Sequence, residues 1–447
     1  MITKFLKAYL IILLSVLLFS CESDETYDKK KAIDAFAQQD NLKIDQSISL
    51  YGINIPTEKV SDNWISSASI KNAQNQNIKK NFSLNKKGKI KLDTNSIYWH
   101  FYKGNRSSRY FYKPLIIDDI AYSLDSSGIL RSINIVNEEV IFKKRIFPKK
   151  FLKYYQTPKI TYSEGKIFAI AGSNEISVVN ATTGEKIWQK HISSIPVSTP
   201  LVDAGRVFVM TNDNKIYCLS QENGDLIWIQ SAIYRPTAIF GSADLIVRDD
   251  LLFASFSSGE IYAMKKSDGE VKWSNNLNTS KAVNSDFYLN DIDATPVIDK
   301  DTIYAIGNGG LIMAINIKDG SHKWKREIAG ISNFWISGSY LYLINNDNKL
   351  IAIRKEKGRI KWISQLPDYK KKDKAKTKYI YNGIIMAGSK LVISRADGSI
   401  IIADPYTGKV LKKTKIAKKL YHEAIVVGDK FYFYAIDNYI AKLISIK

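Results

Sequence analysis

Five times in this 447-residue chain a glycine is followed four positions later by a tryptophan: Gly184 and Trp188, Gly224 and Trp228, Gly269 and Trp273, Gly320 and Trp324, Gly358 and Trp362. The glycines are 40, 45, 51 and 38 residues apart. Each copy follows an alternating apolar run, such as Leu311-Ile312-Met313-Ala314-Ile315-Asn316, with a Thr, Asn, Asp or Lys immediately before the glycine. Alternation ending in a polar residue and glycine marks a hairpin, because glycine accepts the positive φ of a tight turn. The tryptophan then falls on the outgoing strand, where its face can pack on a neighbouring sheet. Four short strands at this period predict the blades of a β-propeller, in which a radial array buries faces that one sheet cannot bury alone.

Upstream strand pairs complete the units, clearest at Ala294-Thr295-Pro296-Val297-Ile298 followed by Thr302-Ile303-Tyr304-Ala305-Ile306. Degenerate copies extend the count. Glu138 and Phe142 stand in the glycine and tryptophan slots of one, and Gly408 and Lys412 in those of another. The last unit, from Ala424 to Ile444, lacks an outer strand, which Ser96-Ile97-Tyr98-Trp99-His100-Phe101 can supply from the other end of the chain. Closing a ring in this way removes its exposed edge. The expected fold is all-β: an eight-bladed propeller of four-stranded antiparallel blades over 64–447, closed by an N-terminal strand. Phe142, Trp188, Trp228, Trp273, Trp324 and Trp362 are its expected blade-docking residues.

Hydrophobic residues make up 45% of the chain and aromatic residues 12%, enough apolar surface to offset the entropy of ordering it. The formal charge of +21 raises the question of a polyanionic partner. Only 11 of the 65 basic residues are arginine, the side chain whose planar fork reads phosphate bidentately. That choice points to a lysine-rich composition, and no nucleic-acid partner is expected. The densest run, Lys370 to Lys378, reads as a solvated loop, though acidic headgroups could attract it.

Lys4 and Lys7, an apolar run from Ala8 to Phe19 and then Ser20-Cys21 form an export signal over 1–20, too short to span a bilayer. Leu18-Phe19-Ser20-Cys21 resembles the lipobox of bacterial lipoproteins, with Phe19 where a small residue is usual. The resemblance implies that Cys21 is acylated and becomes the mature first residue. Residues 21–63 then read as a lipid-anchored flexible tether. Glu22 is not the Asp that enteric lipoproteins use to remain at the inner membrane, so outer-membrane retention on the periplasmic face is expected. Cys218 is left without a disulfide partner. It lies six residues before Gly224, as Ala263, Ala314 and Ala352 lie before their glycines, and reads as a small buried strand residue.

The blade units resemble the pyrroloquinoline-quinone-type propeller repeat. The stretch Leu289-Asn290-Asp291-Ile292-Asp293-Ala294-Thr295-Pro296, continuing through Ala314 to Trp324-Lys325-Arg326-Glu327, is similar to the BamB family of outer-membrane assembly lipoproteins. Asn63-Trp64 and Gly104-Asn105-Arg106-Ser107-Ser108-Arg109 look like the alphaproteobacterial branch. The resemblance implies a non-enzymatic scaffold, without cofactor, that binds the periplasmic domains of a BamA-like protein and assists insertion of β-barrel proteins, whose unfolded chains are further candidate partners. It also implies a contact surface at Arg235 in Ile233-Tyr234-Arg235-Pro236-Thr237 and at the paired Asp291 and Asp293, with Tyr234 where the family has an aliphatic residue. On residue types alone the aspartates serve equally as turn caps and Arg235 as a solvated charge.

Two other classes share this architecture. A quinoprotein dehydrogenase would need a vicinal cysteine pair and a dense set of calcium-binding oxygens, and neither is visible in the sequence. His100, His191, His322 and His422 fall singly in different units, offering neither a zinc site nor a nucleophile-base pair. A glycan-binding or other ligand-binding propeller, using exposed aromatics among 26 tyrosines, is the third.

Overall fold

In each repeat the hairpin glycine lies at positive φ, +67° at Gly184 and between +64° and +78° at Gly224, Gly269, Gly320 and Gly358. In the computed structural model, residues 42–48, 51–65, 77–80, 82–84, 90–91, 98–103, 113–148, 158–232, 243–279, 292–369, 377–437 and 440–446 are described. Every described strand belongs to one compact unit, Lys43–Lys447, with Met1–Leu42 forming a separate one.

Seven sets of four antiparallel strands, six of them separate sheets and the seventh part of a six-stranded one, follow one another along the chain and form the blades of a β-propeller. The first runs from Leu115–Ile117 to Val140–Arg145, the second from Lys159–Ser163 to Lys186–His191, and the third from Leu201–Asp203 to Leu226–Ser231. The fourth spans Ile246–Arg248 to Val271–Asn276, the fifth Val297–Asp299 to His322–Glu327, the sixth Trp335–Ser337 to Arg359–Gln365, and the seventh Tyr381–Ala387 to Val410–Lys415. In a terminal sheet, Ile425–Val427, Lys430–Asp437 and Ile440–Ile446 are joined by Tyr98–Lys103, which pairs antiparallel with Ile440–Ile446.

The repeat pair joins consecutive blades. Each tryptophan donates its indole N–H to a carbonyl of the next blade: Trp188 to Gln221, Trp228 to Lys266, Trp273 to Ile317, Trp324 to Lys355 and Trp362 to Pro405, at 2.7–3.2 Å. Its ring lies over the next blade's glycine. A Cβ on Gly358 would approach the Trp324 ring to 2.5 Å, and one on Gly320 the Trp273 ring to 2.7 Å. Phe142 covers Gly184 in the same manner without a donor to offer. Glycine is therefore required twice, once by the turn and once by the ring above it. A one-residue register shift recurs beside the residue opposite each tryptophan, at Val178/Val179, Cys218/Leu219, Ala263/Met264, Ala314/Ile315 and Ala352/Ile353. Cys218 is thus a small buried partner of Trp228, and burial pushes its thiol up to about 12.

The boundary expected at residue 63 is corrected. Residues 43–65 are bound along the propeller instead of hanging from it. Asp45 N–H donates to Ile360 O of the sixth blade at 2.9 Å, and Lys361 Nζ donates to Ile48 O at 2.8 Å. Glu58–Lys59 pairs in parallel with Asn77–Ile78, which pairs in turn with the seventh blade at Ala387. Gly428 N–H of the terminal sheet donates to Ser61 O, Trp64 exchanges two backbone bonds with Ile116 of the first blade, and Tyr162 N–H of the second donates to Ile65 O. The segment is a strap across five consecutive sheets. Its hold combines backbone hydrogen bonds with scattered side-chain contacts, among them Ser47 and Asp45 with Arg359 and the buried Ile48, Ile53 and Trp64, at no regular spacing, and so leaves little trace in a polar sequence. Trp64 is the largest of these side chains, 1% exposed in the core shared by the sixth, seventh, terminal and first sheets.

A Cβ on Gly338, at φ +57°, would lie 2.0 Å from Asn54 O of the strap. Gly338→Ala is expected to destabilise the fold by about 1–3 kcal/mol through left-handed strain and overpacking. Hydrogen exchange should show faster loss at the Asp45 amide, with the indole-docked turns unchanged.

Candidate partner-binding face

Strand direction alternates in each blade, so the connections between blades emerge on one face and the turns carrying the strap and the repeat glycines on the other. The first face contains the start of every innermost strand. Ladder register aligns the innermost strands, from Leu115↔Tyr122 through Leu201↔Phe208 to Ile425↔Tyr432, and marks one equivalent position two residues before each of these aligned residues. Its occupants are Lys113, Lys159, Thr199, Asp244, Thr295, Asn333, Gly383 and Glu423.

These residues bond to one another around the axis. Lys113 Nζ forms a salt bridge with Glu423, both side chains buried. Asn333 Nδ2 donates to the same Glu423 oxygen at 3.4 Å, and Asn333 Oδ1 accepts from Thr295 N–H at 3.0 Å. Asp244 N–H donates to Thr295 Oγ1 at 3.1 Å. The Asp244 carboxylate accepts from Thr199 N–H at 2.7 Å and lies 3.3 Å from Lys159 Nζ. Gly383, at φ +145°, leaves room for Glu423, whose Cβ would be 3.2 Å from an added Cβ. Burial would raise the Glu423 carboxyl, but the charge of Lys113 and its hydrogen bond hold it below the ordinary carboxylate value. Lys113 also lies 5.4 Å from the ring of Trp64, so the strap's one buried aromatic supports the network.

Two cations and two anions make this ring neutral. Sequence reading missed it because K, K, T, D, T, N, G and E share no identity; only the ladder register aligns them. The sequence signal that remains is a polar residue two positions before the innermost strand in six of these sheets, with Lys159 opening that strand in the second blade and Gly383 lying inside it in the seventh.

Of the residues expected to contact a partner, Asp293 is half-buried two positions before Thr295, at the edge of this ring. Tyr234, Arg235 and Asp291 lie outside the described residues. Their segments connect the third blade to the fourth and the fourth to the fifth. On the third blade's outer strand Leu226, Ile227 and Ile229 are exposed. Cys21 is likewise outside the described residues. His322 Nε2 hydrogen-bonds Asn275 of the fourth blade, and His191 is exposed on another outer strand. Among the described residues no three of His, Cys, Asp and Glu stand close enough to share a metal ion.

A family model described as outer membrane protein assembly factor BamB matches residues 143–364, from the first blade's outer strand to the sixth's. This is a BamB-like protein. An uncharacterized protein of Rickettsia prowazekii is 26% identical over 271 residues, 60% of this chain and 65% of its own length. Outer membrane protein assembly factor BamB of Yersinia pestis is 23% identical over 203 residues, 45% of this chain and 52% of its own length. The chain therefore spans less than two thirds of the length of these relatives. Among solved structures, BamB from Moraxella catarrhalis superposes with a TM-score of 0.63 at 16% identity, over 77% of this chain and 99% of that one. Quinohemoprotein alcohol dehydrogenase from Comamonas testosteroni gives 0.64 at 11% identity, over 90% and 82%. Both structures share the fold.

Proposed function

We propose that this chain is a non-enzymatic scaffold of outer-membrane protein assembly. It docks the periplasmic domains of a BamA-like protein on the face where the blade connections emerge, and acylated Cys21 holds it at the periplasmic side of the outer membrane. The terminal sheet, with Tyr98–Lys103 as its outer strand, is the eighth blade of a closed ring. The observation that carries the reading is the extent of the family match: residues 143–364 include both connections, one with Tyr234 and Arg235 and the other with Asp291 and Asp293.

A quinoprotein reading is supported by fold neighbours. The chemistry of the axis weighs against it. Each buried axial carboxylate, Asp244 and Glu423, already faces a lysine, whereas a calcium-quinone site needs converging oxygens with charge to spare.

Binding of the purified mature protein to BamA periplasmic domains tests the scaffold. Arg235→Glu or Asp293→Lys is expected to weaken it at least tenfold with an unchanged melting temperature, in line with the cost of breaking a charge pair at an interface centre. Unchanged affinity in both variants removes these positions from the contact, and absence of binding by the parent protein removes the scaffold reading.

A further inference from the structure

We propose that the rim of the seventh blade is a docking surface for anionic phospholipid headgroups. The starting point is the odd member of the repeat. Lys412 pairs with Ile402 beside a register shift, as Trp228 pairs with Cys218 and Trp324 with Ala314, so it occupies the tryptophan slot by ladder position and not only by count. The tryptophans there are 7–9% exposed and locked onto the following blade. Lys412 is only half-buried, and the strand around it faces outward at Val410, Leu411, Lys413 and Lys415. A position that elsewhere serves the ring carries a charge at this rim.

The charge around it is of one sign. Residues 405–422 contain six lysines and no Asp or Glu. The preceding carboxylate, Asp404, caps its own turn by accepting from the amides of Tyr406 and Thr407 at 2.9 Å. Lysines on other rims form ion pairs, Lys190 with Asp225 of the following blade at 2.7 Å, Lys265 and Lys272 with Glu270 at 2.5 and 2.9 Å, and Lys323 with Asp301 at 2.8 Å.

Large apolar side chains share the same surface. Tyr406 is 48% exposed, Val410 40% and Leu411 42%, on one strand and its turn. Aliphatic and tyrosyl side chains among lysines match the boundary between headgroups and acyl chains, where the apolar parts leave water and the ammonium groups remain among phosphates. Nucleic acid would favour arginine forks and stacking platforms, and Val410 and Leu411 provide neither. The inference requires neither acylation of Cys21 nor the contact at Arg235.

The unit Lys43–Lys447 contains every described strand and lacks both Cys21 and the apolar leader, so its membrane binding reports the rim. Sedimentation with vesicles of phosphatidylglycerol and phosphatidylethanolamine, against vesicles of phosphatidylcholine, is expected to show binding to the anionic vesicles only and weakening as salt rises. Replacing Lys409, Lys412, Lys413 and Lys415 with Gln should reduce binding at least tenfold. Replacing Lys190, Lys265, Lys272 and Lys323 with Gln removes the same net charge and should change it less than twofold. Leu411→Ser should weaken binding without altering net charge, and it remains informative should the fourfold variant not fold. The proposal is overturned by equal binding to both vesicle types, by equal loss in the two lysine sets, or by an acidic polypeptide or duplex DNA binding the rim more tightly than the vesicles.

Discussion

Lys113→Met is expected to be the most damaging single substitution on the axis, costing about 3–5 kcal/mol, because it leaves a buried carboxylate without its cation. Glu423 would keep the hydrogen bond from Asn333, which cannot neutralise its charge. The pH dependence gives the loss a signature. In the parent protein the Glu423 carboxyl is held below its usual value, so its contribution is present above about pH 4.3, the unfolded value, and is lost as pH falls through the lower folded value. Without Lys113 burial is opposed only by the charge of His422 and by hydrogen bonding, so the carboxyl rises from its parent position and the folded variant takes up a proton more readily than the folded parent. The gap in urea midpoint between variant and parent should therefore be widest near neutrality and narrow toward pH 4. Combining Lys113→Met with Glu423→Gln should recover part of the loss. A gap independent of pH would assign the cost to packing against Trp64 instead of to charge.

Trp324→Ala is expected to cost a similar amount, about 3–5 kcal/mol, the range for removing a large aromatic from a packed site. The variant loses the ring over Gly358, the contact with the Tyr304 ring at 6.0 Å and the hydrogen bond to Lys355 O at 2.7 Å. Trp324→Phe should cost much less, since Phe142 performs this role between the first two blades without an N–H. Blades contact mainly their neighbours, so damage should be local. Hydrogen exchange should accelerate at the turn around Lys355–Gly358 and leave the Trp188 and Trp228 junctions protected. Uniform acceleration throughout the propeller would show that the ring opens as one unit.

What the sequence revealed followed from what recurs in it. Alternation and the glycine-tryptophan spacing made the blades readable, and the alanines and Cys218 ahead of the glycines indicated what lies opposite each indole. Lys412 was recognisable as a substitution in the slot, but its surroundings became evident only with the exposures of Tyr406, Val410 and Leu411. Two features stayed hidden for different reasons. The strap at 43–65 is held by backbone bonds and by side chains at irregular spacing, so Asp45, Ser61 and Ile65 carry no pattern that distinguishes bound chain from tether. The axial ring is one residue deep in each sheet, and its members are complementary instead of alike: Lys113 is explained only by Glu423, and Asp244 only by Lys159 and Thr199. Asp293 could be recognised by its resemblance to a family segment, and its position beside Thr295 now ties it to that ring.

The strap also bears on the order in which the molecule can be made. Asn77 bonds Ser389 and Ser47 bonds Arg359, each across 312 residues, while Lys80 reaches Asp429 across 349. The Tyr98–Lys103 strand likewise has its partner at Ile440–Ile446. A chain produced from its first residue onward thus completes its middle blades while its earliest segments still await partners among the last to appear. Pairing of these distant segments is the final event and a slow one, as for any contact that joins distant parts of a sequence. Until then the unfinished propeller presents open strand edges, the condition in which a β-rich protein most needs protection from its own kind.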